Sequence, residues 1–238
     1  MITKKQIKLI KSLTLKKNRE KHQLFVVEGI KNVSEALNSD YEVDSLFATN
    51  NWITENPTID TIKVTHRELK RISNQKNPNE VLALVRIKEN RTSDTSKITL
   101  VLNDINDPGN LGTIIRICDW FGVGSIICSF NTVDMYNPKV VQSAMGSIFR
   151  VTIIYAELFK YLKTLSAPIY GAFMNGKNVK NVSFPKNLHL VIGNEANGIS
   201  KEIADLITEK IKIDNLGKNA ESLNVAAATS VLLHEICN

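Results

Sequence analysis

The stretch NDINDPGNLGTIIRICDWFG, residues 103–122, decides the fold class of this chain. An apolar run leads into this stretch, its loop contains two glycines, and the amphipathic pattern that follows predicts a helix at 111–121. A strand, a glycine-rich loop and a helix in this order are typical of a phosphate-binding turn. Here, however, Gly109 and Gly112 give only G-x-x-G, and Arg116 lies one turn into the helix. The question is which ligand needs such a loop beside an arginine.

The common nucleotide-binding motifs do not fit this loop. A dinucleotide fold requires a third glycine and an acidic residue at the end of the next strand, and Asp134 comes too late to serve. A P-loop requires Gly-Lys-Ser/Thr, which does not follow. Neither a Ser–His–Asp set nor paired carboxylates stand in suitable loops, so the sequence does not indicate a hydrolase.

Positive charge is concentrated at the start of the chain. Residues 1–22 contain eight lysines and arginines and one glutamate, a net charge of +7, whereas the whole chain carries +6. A basic segment on a near-neutral body predicts a polyanionic partner. Helical spacing over residues 3–15 leaves lysines between the apolar positions, and we expect Lys4, Lys8 and Lys11 to contact that partner.

Cysteines and histidines form neither a disulfide framework nor a metal-binding pattern. Cys118 and Cys128 lie in apolar stretches and are predicted to be buried thiols, and with Cys237 the count is odd. This usage favours a reducing compartment. No apolar stretch reaches about 18 residues and no apolar export signal is present, so we expect a cytoplasmic protein without a membrane span.

Strand and helix patterns alternate along the chain. Residues 1–90 predict a small α/β domain, residues 91–97 a polar linker, and residues 98–238 a second α/β domain. Continuous apolar strands in the second domain indicate a mainly parallel sheet covered on both faces. The strands are predicted at 24–29, 43–49, 61–65, 81–87, 98–103, 125–129, 149–154, 168–173, 188–192 and 209–213, and the helices near 3–15, 30–38, 66–73, 111–121, 138–147, 156–165, 200–207 and 222–236.

Three loops at predicted strand ends are rich in glycine and asparagine. They are DINDPGNLG (104–112), GNEANG (193–198) and DNLGKNAESLN (214–224). Ordinary turn chemistry explains any one of them. Because ligands of parallel sheets bind at the carboxyl ends of the strands, we expect the three loops to converge on one edge and form a site.

At these loops the chain resembles the SpoU, or TrmH-like, class of SPOUT RNA 2′-O-ribose methyltransferases. The resemblance covers about residues 98–236 and rests on NDPGNLGTIIRICDWFG, LVIGNEANGIS and ESLNVAAATSVLLHE, in this order. The stretch from FVVEGIKNVSEAL to about residue 88 is similar to the L30e-like substrate-binding domain that many members carry. The resemblance implies an α/β SPOUT fold with a mainly parallel sheet and a C-terminal trefoil knot, a homodimer, and S-adenosylmethionine as cofactor, without a metal.

The resemblance also implies roles for individual residues. Gly193, Asn194, Ile213 and Leu223 would bind the cofactor, and Asn110, Arg116, Glu195, Ser222 and Asn224 would form the catalytic set, with the last three holding the arginine in place. Arg116 suits a bidentate grip on an RNA phosphate, and its permanent charge argues against a role as the base that deprotonates the 2′-hydroxyl. Asp214 and Asn215 depart from the family's usual Pro-Met, so a stiffening proline is missing.

The sequence therefore predicts an enzyme that methylates a ribose 2′-oxygen of structured RNA, with ribosomal RNA favoured over transfer RNA. The basic residues Lys4, Lys8 and Lys11 would bind that RNA together with Arg116. The alternative is a non-catalytic RNA-binding or ribosome assembly factor that has kept the fold.

Overall fold

The computed structural model describes residues 2–88, 97–217, 219 and 221–238. These residues form two compact units. The first unit contains residues 2–88 and 134–149, and the second contains the described residues among 97–133 and 150–238. Of the predicted linker 91–97, residues 91–96 lie outside the described residues, and the predicted domain boundaries stay a prediction.

In the first unit, helices and strands alternate around a four-stranded sheet. Its elements are α1 (Lys4–Ser12), α2 (Lys16–His22), β1 (Leu24–Glu28), α3 (Ile30–Leu37), β2 (Val43–Ala48), α4 (Asn50–Glu55), β3 (Ile62–Lys63), α5 (His66–Ile72) and β4 (Val81–Arg86). The strand order is β1-β4-β2-β3, with β4 antiparallel to both neighbours and β2 parallel to β3. The small α/β fold predicted for this half is observed, while α2 and α4 had no clear sequence signal.

The basic segment at the start of the chain is part of the core of this unit. A capping box between Thr3 and Gln6 fixes the start of α1. Ile10 and Leu13 are fully buried among the apolar residues of the unit, and the lysines of α1 lie on the opposite, exposed side. One face of the helix therefore packs and the other faces solvent.

Arg19 differs from the other cations of this segment because it is buried. Its Nη1 donates hydrogen bonds to the backbone oxygens of Leu13 at 2.8 Å and Thr14 at 2.9 Å. Its Nε donates to Asp134 Oδ2 at 3.0 Å, and the two side chains form an ion pair. Arg19 is therefore occupied by the protein itself and does not count among the groups that face a polyanion.

Residues 134–149 lie between two strands of the second half of the sequence but pack with the first unit. Besides the buried ion pair, aromatic rings hold this segment. The rings of Phe25 and Tyr136 lie 4.4 Å apart, and those of Tyr41 and Phe149 lie 5.1 Å apart in an edge-to-face arrangement. Contacts between residues so distant in sequence leave no local pattern, which is why the sequence grouped this segment with the second domain.

The second unit is built on a six-stranded parallel sheet. Along the chain follow β5 (Thr99–Asn103), α6 (Pro108–Trp120), β6 (Ser125–Ser129), α7 (Pro138–Ala144, in the first unit), β7 (Thr152–Ala156), α8 (Leu158–Lys163), β8 (Ile169–Asn178), β9 (His189–Gly193), α9 (Lys201–Ala204), β10 (Glu209–Lys212) and α10 (Val225–Cys237), with short 3-10 turns at Ser147–Phe149 and Val179–Asn181. The strand order is β10-β8-β9-β5-β6-β7, and every pairing is parallel. The predicted parallel sheet is confirmed, and β5 and β6 are buried along their whole length.

The centre of this sheet brings two of the three loops to the same level. β5 and β9 pair in register, with Asn103 opposite Gly193 at their carboxyl ends. After β10, at the outer edge of the sheet, the chain returns and α10 packs against α6 and β9. The trefoil knot implied by the resemblance stays a prediction.

The structure confirms the predicted burial of two cysteines. Cys118 and Cys128 are fully buried, as predicted, and burial raises the pKa of both thiols. All three cysteines are free. Among the described residues the longest helices have 13 residues, and none is long and apolar enough to cross a membrane.

His189 is a core residue at the amino end of β9, away from the edge that carries the loops. Its Nε2 lies 3.0 Å from the hydroxyl of Tyr161, and its ring is almost fully buried. Burial lowers the pKa of His189 from 6.5 to about 4, because the charged imidazolium loses its hydration. The imidazole of His189 is therefore neutral in the folded protein at neutral pH.

Removal of the Arg19 guanidinium should destabilise the first unit. Arg19→Met keeps an apolar stem but leaves Asp134 without its cation, and we expect the free energy of unfolding to fall by on the order of 3 kcal/mol. Urea denaturation followed by circular dichroism measures this change. The double variant Arg19→Met with Asp134→Leu removes both charges, and its free energy of unfolding should fall clearly less. A double variant as unstable as the single one would contradict a role for the ion pair.

The buried His189 should make stability depend on pH in a defined window. The pKa of His189 is lowered on folding. The imidazole therefore takes up a proton below about pH 6.5 in the unfolded chain, but only near pH 4 in the folded chain. The contribution of His189 is fully present above pH 6.5 and is lost as pH falls towards 4. Melting temperatures across this range should fall less steeply for His189→Gln than for the wild type. The exposed His22→Gln serves as the control and should follow the wild-type curve.

Candidate active site

Three loops of the second unit are joined by side-chain hydrogen bonds at the carboxyl edge of its sheet. The first follows β5, the second follows β9, and the third lies between β10 and α10. Asn224 Nδ2 donates to Asn110 Oδ1 at 2.9 Å, and Asn110 Nδ2 donates to Glu195 Oε1 at 2.7 Å. The three loops therefore converge as the sequence predicts. We call the chain of Asn224, Asn110 and Glu195 the amide relay.

The amide relay has a fixed direction. Asn224 is the N-cap of α10, and its Oδ1 accepts hydrogen bonds from the backbone N of Ala226 at 3.0 Å and Ala227 at 3.3 Å. Since this oxygen is occupied, Asn224 turns its NH₂ group to the oxygen of Asn110. Asn110 then presents its own NH₂ group to Glu195, whose ionised carboxylate only accepts. The cap of one helix thus sets the orientation of side chains on two other loops.

The start of α6 places Asn110 for this role. Asp107 is the N-cap, and its Oδ1 accepts a hydrogen bond from the backbone N of Asn110 at 2.8 Å. Pro108 occupies the first turn, where its fixed φ suits a helix and its missing N–H costs nothing. The DPGN sequence therefore begins the helix and places Asn110 in its first turn.

The backbone directly after β5 is held in an unusual conformation. Asp104 has a φ of 62°, in the left-handed region. Its backbone N donates to Ser129 Oγ at 2.9 Å, and Ser129 Oγ donates to Asp104 Oδ1 at 2.6 Å. Asn194 Nδ2 donates to the backbone oxygen of Asp104 at 2.8 Å. Such a conformation costs on the order of 1–3 kcal/mol, and these contacts are what maintain it.

The sequence did not single out Asp104 or Ser129. The only available signal was an aspartate between a strand end and a glycine-rich loop, which many turns share. Their effect is to fix the path from β5 towards Asn110.

The second loop is a tight turn with Glu195 near its tip. Asn194 and Gly198 exchange two backbone hydrogen bonds of 3.0 and 2.9 Å. Asn194 Oδ1 also accepts from the backbone N of Ala196 at 2.9 Å and of Asn197 at 3.1 Å. The side chain of Asn194 is thus used inside the protein, which leaves its backbone for any ligand.

Gly193 is required by the closure of this turn. A Cβ at Gly193 would lie 2.2 Å from the backbone C of Gly198 and 2.3 Å from the N of Ile199. The resemblance implies that Gly193 binds the cofactor, and the structure shows that its own loop occupies the space that a side chain would take. Any contact of Gly193 with a cofactor would come from another side of its backbone.

The third loop begins with the residues that depart from the family pattern. Asp214 accepts a hydrogen bond from Asn178 Nδ2, and its Oδ1 lies 3.1 Å from Lys212 Nζ. The hydrogen bond and charge of Lys212 lower the pKa of Asp214, so the carboxylate stays ionised. Further along, Leu216 is 95% exposed and Leu223 is 54% exposed. The loop is tied at its root and offers apolar side chains to solvent, and Ile213, directly before Asp214, is half-buried.

Arg116 and Ser222 are not drawn into the relay. Arg116 is exposed on α6, six residues beyond Asn110, which is about 9 Å along the helix axis. Neither residue makes a hydrogen bond or ion pair within the described part of the chain. Glu195 and Asn224 bind Asn110, and the expectation that they and Ser222 hold Arg116 in place stays a prediction.

No group of three or more His, Cys, Asp or Glu side chains that could hold a metal ion is found among the described residues. The polar groups that meet at the sheet edge are amides, one carboxylate and backbone. Leu216 and Leu223 are exposed on the third loop, and Arg116 has no hydrogen-bond or ion-pair partner among the described residues. Such a set binds and orients organic ligands and nucleic acid.

Family comparisons match both parts of the sequence. The family described as SpoU rRNA Methylase matches residues 97–234, which contain all three loops. The chain belongs to the SpoU rRNA methylase family. The MRM3-like substrate binding domain matches residues 4–83 of this SpoU-family chain, which lie in the first unit.

Relatives and solved structures agree with this membership. The 23S rRNA (guanosine(2553)-2′-O)-methyltransferase RlmP of Bacillus subtilis (strain 168) is 28% identical over 240 residues, which are 97% of this chain and 95% of that protein. A TrmH-family protein from Porphyromonas gingivalis superposes with a TM-score of 0.88 at 35% identity, covering 99% of this chain and 98% of that one. An AdoMet-bound rRNA methyltransferase from Sinorhizobium meliloti gives 0.87 at 26% identity, covering 99% and 95%. The predicted family, the SPOUT-type fold with an N-terminal domain, and the class of RNA methyltransferase are confirmed.

The direction of the amide relay can be tested by exchanging its groups. Asn110→Asp sets a second carboxylate against Glu195, and the repulsion should separate the loops and lower RNA methylation by about 100-fold. Adding Glu195→Gln supplies a donor amide to the introduced aspartate, which still accepts from Asn224. The double variant should therefore recover most of the activity, measured as methyl groups incorporated into RNA.

The matched control combines Asn110→Asp with Glu202→Gln, which removes a carboxylate elsewhere on the same unit and should not rescue. Melting temperatures show whether each variant folds. A correctly folded Asn110→Asp, Glu195→Gln protein without activity would contradict the relay as the reason for these residue types.

Proposed function

We propose that this protein transfers a methyl group from S-adenosylmethionine to a ribose 2′-oxygen of structured RNA, with ribosomal RNA favoured over transfer RNA. The observation that carries the proposal is the amide relay, which joins three loops at the carboxyl edge of a SpoU-family sheet. The similarity to RlmP, named as a 23S rRNA 2′-O-methyltransferase, supports both the reaction and the favoured substrate. The non-catalytic alternative gives no reason for a directed relay among these loops.

The second and third loops fit S-adenosylmethionine. The exposed Leu223 and the half-buried Ile213 offer apolar surface for a purine, and the backbone of Gly193 and Asn194 offers polar groups beside it. When bound, this cofactor supplies an electrophilic methyl group on a sulfonium. The AdoMet-bound relative from Sinorhizobium meliloti supports the choice, and the proposal includes no metal.

The catalytic set acts mainly by position. Asn110 lies on the loop that leads into α6, while Glu195 and Asn224 lie on the loops assigned to the cofactor. Because hydrogen bonds connect these loops, the two sides of the reaction share one framework, and correct placement of the reacting atoms is worth several kcal/mol. Ser222, exposed beside Asn224 and without a bond in the described chain, is available to the bound ligands.

Arg116 would hold the phosphate next to the target ribose. Its guanidinium is exposed and has no partner among the described residues, and side chains on a helix lean towards the N-terminus, here towards the end of α6 that carries the first loop. The permanent charge of the guanidinium stabilises and orients an anion but does not accept a proton.

The first unit would contact RNA through the exposed face of α1. Lys4, Lys8 and Lys11 follow one another at helical spacing and are all exposed, while the opposite face is buried. The match of residues 4–83 to a substrate binding domain supports this role.

We also propose that the protein forms a homodimer and resides in the cytoplasm. On the second unit, Trp120 of α6 is 85% exposed and Val231 of α10 is 39% exposed, and these two helices pack on each other. A second copy that covers this apolar surface is the simplest reason for an exposed tryptophan. Sedimentation equilibrium of the purified protein decides between monomer and dimer.

The function and the role of Arg116 are tested together. Wild-type protein should transfer labelled methyl groups from S-adenosylmethionine to protein-free ribosomal RNA, and the methylated position should resist alkaline cleavage. Arg116→Ala should abolish the transfer while calorimetric affinity for S-adenosylmethionine stays unchanged, because the arginine faces RNA. Arg116→Lys should also fail, since a point charge does not reproduce the two parallel hydrogen bonds.

Near-normal turnover of Arg116→Lys would contradict the bidentate grip but leave the reaction in place. Wild-type protein that binds RNA but not S-adenosylmethionine would instead favour the assembly factor.

A further inference from the structure

The first unit contains a polar pocket that the proposed reaction does not use. It has a volume of about 370 Å³, which falls in the range of roughly 300–1,000 Å³ typical of small-molecule sites. Its walls come from the turn between α1 and α2, from β1, from the segment after α5 and from the start of α7. The pocket therefore needs residues 134–149 as well as the N-terminal residues.

One wall of this pocket is held in place by a hydrogen-bond network around the half-buried Glu28. The Glu28 carboxylate accepts hydrogen bonds from Ser73 Oγ, from the backbone N of Asn74 at 3.0 Å and from Asn74 Nδ2 at 3.1 Å. Ser73 Oγ in turn accepts from the backbone N of Gln75 at 2.9 Å. These bonds satisfy the carboxylate and fix the backbone that presents the Gln75 side chain.

The groups left free in the pocket are neutral amides above an apolar floor. The side chains of Gln75 and Gln142 make no hydrogen bond within the described chain, and each offers both a donor and an acceptor. Val26 and Val141, almost fully buried, form the apolar part of the lining. A nucleobase needs this combination, because its edges form hydrogen bonds and its faces pack against apolar or planar groups.

The charges in and around the pocket favour an uncharged base inside it and a phosphate at its edge. Glu28 places negative charge on the inner wall, which disfavours an anion inside. Lys139 lies on the lining and has no ion-pair partner in the described chain, and the exposed Lys11 and Lys17 flank Thr14 of the lining in sequence. A nucleotide within an RNA strand fits this charge distribution, because its base is uncharged and its phosphate is an anion.

We infer that this pocket binds one unpaired nucleotide of the substrate RNA, with Gln75 and Gln142 reading the base and Lys139 contacting its phosphate. The inference rests on the proposed function, since it takes RNA as the substrate. It adds a site for base recognition in the first unit, and this site depends on α7.

The test uses the full-length protein and fluorescein-labelled rA8, rC8 and rU8 in anisotropy titrations at several salt concentrations. Gln75→Leu with Gln142→Leu removes both amides, and we expect binding of the preferred oligonucleotide to weaken by about tenfold or more and the preference among bases to disappear. The slope of log affinity against log salt should stay unchanged, because amides neutralise no phosphate. Lys139→Met should instead weaken all three oligonucleotides alike and reduce that slope by about 0.7.

Asn77→Leu on the same segment, outside the pocket, is the matched control and should bind as the wild type does. Where the double variant melts at a lower temperature, Gln142→Met on the exposed side of α7 replaces it, because this change removes one amide without adding charge, and the same loss is expected. Amide variants that fold and bind all three oligonucleotides with wild-type affinity would overturn the inference and leave the pocket to a different ligand.

Failure of the pocket and failure of the proposed function give different results. If the wild type methylates ribosomal RNA and the amide variants do so with unchanged KM, only the pocket is wrong. If the wild type binds neither the oligonucleotides nor ribosomal RNA, both are wrong. Affinity for S-adenosylmethionine should be equal in all variants.

Discussion

The in-register parallel pairing of β5 with β9 is the constraint on which the site depends. It sets Asn103 opposite Gly193, so that the loops behind both strands start at the same height. Asn103 strengthens this arrangement, since its Oδ1 accepts a hydrogen bond from the backbone N of Ser200 at 2.8 Å. A slip of one residue would shift one loop by about 3.3 Å and exchange the faces of the strand. A hydrogen bond of 2.7 Å between Asn110 and Glu195 does not survive such a shift.

The cap of α10 connects the stability of the fold with the chemistry of the site. The oxygen of Asn224 satisfies backbone N–H groups that the helix leaves unpaired, and this occupation turns its NH₂ group towards Asn110. Aspartate would cap the helix as well but has no donor to present at this point. Asparagine is thus required by the relay rather than by the helix, and the same reasoning makes Glu195 an acceptor.

Much of this architecture can be predicted from sequence because its signals are local. The strand at 125–129 is observed as predicted, and the convergence of the loops follows from the rule for parallel sheets. What escaped prediction depends on contacts between distant residues. Arg19 and Asp134, 115 residues apart, draw the segment 134–149 to the first unit. The requirement for glycine at position 193 also escaped prediction, because only coordinates show which atoms occupy the space of a missing Cβ.

The departure at Asp214 changes how the third loop is stiffened. A proline would restrict the backbone covalently, whereas Asp214 is held by an ion pair with Lys212 and a hydrogen bond from Asn178. Because Asp214 is exposed, this restraint is screened by salt in a way that a proline is not. The other end of the loop is fixed by the uncharged cap of Asn224, which salt does not weaken. The end of the loop near Lys212 therefore depends on ionic conditions, while the end at Asn224 keeps its geometry.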